Sequence, residues 1–283
     1  MISIRKRSFN YKKYNGVIGL LIIWEIIATI FEINNPETSH IIFPSLHYIV
    51  AHSIPGFATF WGMQSLIFGA KYSYLEAFKV LLLHSGITIL RVLSGLIVGV
   101  LLGSGIGLLM GSVRFIRNLI EWPLQFARMI PPLALIPLFL VWFGGREIGI
   151  FIYITFSIFV MIVVNTIQAI KNVPHKYIKY AYTMGANKYQ LYRTIIIPAI
   201  IPEITGGIRV AVGVSWAIGL AGEYLAAQSG LGRLMILSEQ FTYTGRMFVI
   251  AVLFMFYNVI INNLVILFSN YVTRWQEKYS PVQ

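Results

Sequence analysis

An all-α, polytopic transmembrane helix bundle of about six spans is predicted by three observations: overall composition, the length of the apolar runs, and the placement of basic residues. Across 283 positions, 57% of residues are hydrophobic and 11% charged, with a mean hydropathy of +0.75. Water-soluble globular domains do not show that balance. Runs long enough to cross roughly 30 Å of hydrocarbon fall near 17–33, 85–110, 124–143, 148–170, 203–223 and 247–270. Basic residues cluster in alternate connections. One set holds Arg5, Lys6, Arg7, Lys12, Lys13, Arg114, Arg117, Arg128, Lys171, Lys176, Lys179, Lys188, Arg193, Arg274 and Lys278; the other holds Lys71, Lys79, Arg146, Arg233 and Arg246. This segregation predicts cytoplasmic N- and C-termini. It also reads the net charge of +12 as a topology signal, with no nucleic-acid partner. The expected organisation is a cytoplasmic tail over 1–16, a transmembrane domain over 17–272 with a cytoplasmic loop at 171–201, and a cytoplasmic tail over 273–283.

The first span follows a basic segment but is long and lacks a small-residue cleavage site, so it reads as an uncleaved helix. Residues 57–78 are apolar and aromatic but are interrupted by glycines, Gln64 and Lys71. They read as an outer interfacial helix, because a seventh span would invert the later loops. The second span carries Gly95, Gly99, Gly103, Gly107 and Gly111 on one face. That stripe admits close helix packing, either within the chain or at a dimer seam. Pro131, Pro132 and Pro137 interrupt the third span. Each removes a backbone donor, and a broken helix persists in lipid only against protein or a wet cavity. The segment is therefore a pore-adjacent candidate, with a kinked packing helix as the alternative.

Between the fourth and fifth spans, Pro174 suits a helix start, Gly185 a left-handed C-terminal cap, Asn187 a second N-cap and Pro198 a stop. Pro202 then opens the fifth span. The loop reads as a compact helical hairpin, basic and rich in tyrosine, which is suited to docking. Within the spans stand Glu25, Arg91, Arg209 and Glu223, and intramembrane charges are functional candidates because leaving them unpaired is costly. Their depths suggest two pairs, Glu25 with Arg209 and Arg91 with Glu223. Catalytic and metal sites are absent from this reading. The chain has no cysteine, its histidines form no H-E-x-x-H set, and there is no G-x-S-x-G elbow or G-x4-G-K-[ST] phosphate loop.

Gly185-Ala186, nine residues after the glycine, and Ile195-Ile196-Ile197-Pro198 resemble the E-A-A-x3-G-x9-I-x-L-P loop of ABC importer permeases. Lys179-Tyr180-Ala181 stands where the family has its acidic-Ala-Ala triplet, and Ile197 replaces the leucine. Further pieces are similar to the nitrate/sulfonate/taurine branch: Trp24-Glu25, Phe43-Pro44-Ser45, Leu90-Arg91-Val92-Leu93-Ser94-Gly95, Ile130-Pro131-Pro132-Leu133-Ala134, Trp142-Phe143-Gly144, Gly207-Ile208-Arg209, Trp216, Glu223, and Ser229-Gly230-Leu231-Gly232.

The resemblance implies a type I ABC importer permease fold. It further implies pairing with a second permease copy, ATPase subunits that carry ATP and Mg, and an external substrate-binding protein, with no cofactor on this chain. Coupling to the ATPase would fall to Lys179, Tyr180, Ala181, Tyr182, Met184, Gly185 and Ala186. The cargo expected is a sulfonate-, taurine- or nitrate-like anion or a small heteroaromatic metabolite. A polytopic membrane enzyme and a secondary transporter are the competing classes.

Overall fold

The computed structural model describes residues 15–60 and 73–275, and no strand occurs among them. Five helices are long and apolar enough to cross a membrane, and a sharply bent pair forms a sixth candidate. Helix α1 is Asn15–Asn34, α2 is Tyr74–Ser112, α3 Arg114–Met129, α4 Pro132–Phe143 and α5 Glu147–Asn172. Helix α6 is His175–Thr183, α7 Lys188–Leu191, α8 Ile197–Ala226, α9 Leu231–Gln240 and α10 Thr244–Val272. The expected outer helix at 57–78 falls mostly on residues 61–72, outside the described residues. Phe57–Phe60 is a single 3₁₀ turn, and α2 begins at Tyr74. The expected cytoplasmic tails likewise lie mainly outside the described residues.

The chain divides into two compact units. One takes residues of 1–80 and 237–251, the other 81–236 and 252–283. In the first unit α1 is apolar all round and buries only Ala28, so a 20-residue helix that spans ~30 Å leaves its Leu and Ile side chains for lipid or another chain. Its one anchored face carries Trp24, which stacks on Phe43 with centroids 4.2 Å apart and donates from Nε1 to the Pro44 carbonyl at 3.2 Å.

The second unit is built on the glycine stripe of α2. A Cβ at Gly95 would meet Ile154, at Gly99 Ile158, at Gly103 Ile162 and at Gly107 Thr166, all at 2.6–2.8 Å. The four-residue periods of α2 and α5 therefore mesh, glycine against branched side chain, and the stripe packs within the chain. Ile154, Ile158, Ile162 and Thr166 are fully buried as a result. The third expected span is not one helix: α3 and α4 meet at 106° across Ile130 and Pro131. Pro131 and Pro132 supply no backbone N–H there, and Ile130 and Pro131 adopt extended ψ values of 122° and 127°, the conformation favoured before proline.

Candidate functional site

The hairpin between α5 and α8 is closed by two local motifs. Pro174 occupies the N-cap of α6. At the other end Gly185 has φ +79°, the Gly185 N–H donates to Tyr182 O and the Ala186 N–H to Ala181 O, both at 3.0 Å. That pair of bonds is a Schellman C-cap, which needs a left-handed residue at its turn. Asn187 then caps α7: its side chain accepts from Gln190 N–H at 2.9 Å, while Gln190 Oε1 accepts from Asn187 N–H at 2.9 Å. Ala181 is buried among Ala169, Val173, Leu191, Ile196 and Ile200, with Ala186 packed against them. Lys179, Tyr180, Tyr182 and Met184 all face outward, Met184 being 89% exposed. The candidate set thus divides into an inward base and an outward face.

Pro198 was expected to stop the second hairpin helix, and it does not. The chain runs from α7 through a π-helical turn at Tyr192–Ile196 straight into α8, where Pro198 sits in the first turn and Pro202 inside the helix. The wider turn hydrogen-bonds Ile197 N–H back to Tyr192 O. It thereby gives room to a proline ring that would clash with the preceding turn of a regular helix.

Of the intramembrane charges, Arg91 and Glu223 come together, with Arg91 Nη1 2.8 Å from Glu223 Oε1. Arg91 is 6% and Glu223 0% exposed. Arg91 also donates to Ser229 O at 2.6 Å and Ser229 Oγ at 2.7 Å, and makes a bidentate contact with the Glu147 carboxylate. The other Glu223 oxygen accepts from Thr88 Oγ1 at 2.8 Å and Gly232 N–H at 3.0 Å. Thr88 accepts from Leu231 N–H at 2.8 Å, and His84 Nδ1 accepts from Gly230 N–H at 2.9 Å, so the His84 proton belongs on Nε2. Gly230 has φ +105°, and a Cβ there would stand 2.6 Å from the Glu223 carboxylate. Both Glu223 carboxylate oxygens and all three guanidinium nitrogens of Arg91 have partners, the condition under which a buried ion pair is tolerated. Glu147 was missed from sequence; its position as first residue of α5 was the available sign.

Glu25 and Arg209 take partners other than those expected. The Glu25 carboxylate accepts from Leu46 N–H at 2.7 Å, an orphan donor at the start of a short helical turn that Ser45 also caps from 3.3 Å. Arg209 donates to Ser269 Oγ at 2.9 Å. Depth along a helix cannot reveal which way a side chain points around it, and the azimuth decided both. Pro131 and Pro132 form the sharp break between α3 and α4, as described above. Arg128, counted with the basic connections, instead precedes that break and lines a cavity with α5 and α8.

A membrane bundle with a broken span, a capped hairpin outside the long helices and a densely paired intramembrane charge cluster defines the chain as a transport permease. Residues 95–274 match the family described as the binding-protein-dependent transport system inner membrane component, and the chain belongs to it. A probable ABC transporter permease protein of Brucella abortus is 38% identical over 66% of this chain and 75% of its own length. The taurine transport system permease protein TauC of Escherichia coli is 31% identical over 57% and 58%. The riboflavin transport system permease protein RibX of Chloroflexus aurantiacus is 27% identical over 58% and 61%. The inward-facing MetNI methionine ABC transporter superposes with a TM-score of 0.55 at 17% identity, over 71% of this chain and 98% of that one, a likeness of fold. The chain is thus a multi-pass inner-membrane transport subunit of the importer type. In this family ATP hydrolysis resides in a separate subunit, and a substrate-binding protein is the other partner.

Proposed function

We propose that this chain is the path-forming subunit of an ATP-driven importer for a small organic anion of the sulfonate type, working as a pair of identical copies. The hairpin 175–191 receives the motion of the ATPase, which carries the ATP and Mg. The observation that carries this role is the hairpin's construction: a buried base around Ala181 leaves Tyr180 and Tyr182 exposed on either side of it and Met184 exposed at the turn, a largely apolar set of side chains. A set of that kind suits docking into a protein cleft, with Lys179 contributing at the rim, where exposed charges are worth little. The segregation of basic residues supports cytoplasmic termini and a cytoplasmic 171–201, with the binding protein on the opposite side. Lipid covers the apolar faces that α1 and α10 leave open. An anion is favoured as cargo over a neutral heteroaromatic because the taurine-type relative is more similar than the riboflavin-type one.

The test is ATP hydrolysis stimulated by loaded binding protein in the reconstituted complex. At Gly185 a Cβ has space but the φ of +79° is strained for any L side chain, so Gly185→Val should abolish most stimulation while insertion survives. Lys179→Ala should keep it within about twofold. Full stimulation in Gly185→Val, with the ATPase still bound, removes the hairpin from the coupling role. Sidedness is read by single cysteines at Tyr189 and Gln228, both exposed, which should react with an impermeant thiol reagent from opposite sides; labelling from one side overturns the topology.

A further inference from the structure

At the break between α3 and α4 the chain lines an open cavity of about 290 Å³, whose wall includes Arg128, Pro132 and Leu135 from the break, Ser157 and Met161 from α5, and Val214 from α8. Its depth follows from position. Met161 stands 14 residues from the start and 11 from the end of the 26-residue α5, roughly 16–21 Å from either end at the helical rise. The cavity therefore lies well inside the bilayer if α5 spans it. Most of the lining is apolar, yet a guanidinium is among it.

Arg128 has no hydrogen-bond or ion-pair partner among the described residues. The described acidic groups of its unit are otherwise placed. Glu147 and Glu223 hold Arg91, Glu203 accepts from Asn172 at 2.7 Å, and Glu121 lies seven residues earlier on α3, about 10 Å along the helix axis. Arg128 is exposed where it lines the cavity, so its charge is open to a solute, and cations without an internal counter-charge recur where transporters meet their cargo beside broken helices. Ser157 donates its hydroxyl hydrogen to Tyr153 O at 2.9 Å, which leaves its lone pairs free to accept from a donor on a solute.

From this arrangement we infer that the cavity is an anion subsite on the translocation path, with Arg128 taking the acidic group of a small organic anion and Leu135, Met161 and Val214 meeting its apolar body. The subsite rests on the importer reading above. It assigns Arg128 a binding role that its place among the basic connections does not suggest.

Because the chain holds no cysteine, Ser157→Cys gives one reporter thiol in the complete complex with its ATPase and binding protein. The measurement compares labelling rates for sulfonatoethyl methanethiosulfonate, an anion, and trimethylammonioethyl methanethiosulfonate, a cation. A nearby guanidinium lowers the thiol pKa for both reagents alike, so the ratio isolates attraction of the anion. The anion should react faster by on the order of tenfold. That ratio should fall to near one in Arg128→Gln and persist in Arg128→Lys. Met161→Cys supplies the same readout where Ser157→Cys fails to assemble. Equal rates with Arg128 present, as when its charge is spent on a second copy or a lipid phosphate, overturn the subsite, and so does absence of labelling at both positions. Stimulated ATP hydrolysis is measured in each preparation. Charge parity in a stimulated complex overturns the subsite alone, whereas a wild-type complex that binding protein never stimulates overturns the importer reading itself.

Discussion

Arg91 and Arg128 occupy the same unit in opposite situations: Arg91 is buried and enclosed by partners, whereas Arg128 is exposed and has none among the described residues. Arg91 is enclosed by Glu223, Glu147, Ser229 O and Ser229 Oγ, and the chain bends at Gly230 to complete that enclosure. Arg128 lines a cavity and has no partner among the described residues. A membrane protein can keep a cation in low dielectric in two ways: by spending its own polar groups on it, which fixes structure, or by leaving it for something that arrives from outside. The first arrangement resists substitution because every member depends on the others. The second should tolerate substitution structurally, since no internal bond is lost.

The sharpest way to break this contrast is Glu223→Ala. It strands Arg91 in a buried site and should cost about 3–5 kcal/mol, read as loss of folded protein in detergent or a large drop in Tm. Replacing Arg91 and Glu223 together by leucine should be milder than the sum of the single losses. Strict additivity would show that the two charges are not coupled.

A smaller effect tests the scaffold that sets Arg91 opposite Glu147. In Gly99→Val the new Cβ would stand 2.8 Å from Ile158 Cβ and 2.9 Å from Thr155 O, so α2 and α5 must separate, at about 1–3 kcal/mol. Gly105→Ala, with nothing within 4 Å, is the matched control and should leave Tm unchanged or slightly raised through helix propensity. Equal effects at the two glycines would remove the packing account of the stripe.

The smallest effects come last. Glu147 is 66% exposed, so Glu147→Gln should cost no more than about 1 kcal/mol, because solvent screens that half of the Arg91 contact. Arg128→Gln should change stability by less still, within about 0.5 kcal/mol, whatever it does to transport. A destabilisation at Arg128 as large as that at Glu223 would mean that the guanidinium is structural, erasing the distinction between the two arginines.

Composition, apolar length and charge placement determined by themselves that the chain is a helical membrane bundle, because a bilayer leaves few other ways to satisfy the backbone. Local chemistry determined the hairpin just as well. Pro174, Gly185 and Asn187 act within four or five residues of themselves, and their caps are where the sequence places them. The Arg91–Glu223 pair was legible because, of the four charges read within the spans, only those two shared that depth; Glu147, at the start of α5, joined them only in the structure. Tertiary structure decided the rest. Ile154, Ile158, Ile162 and Thr166 had to lie opposite the glycine stripe before it could be read as an internal seam. The azimuth of Glu25 sent it to the Leu46 N–H, and that of Arg209 sent it to Ser269. Pro198 passes through a helix because a π turn precedes it. Arg128 left the loops for a cavity wall when the chain bent by 106° at the prolines. In each of these cases the outcome depends on rotation about a helix axis or on the direction of a break, neither of which linear spacing contains.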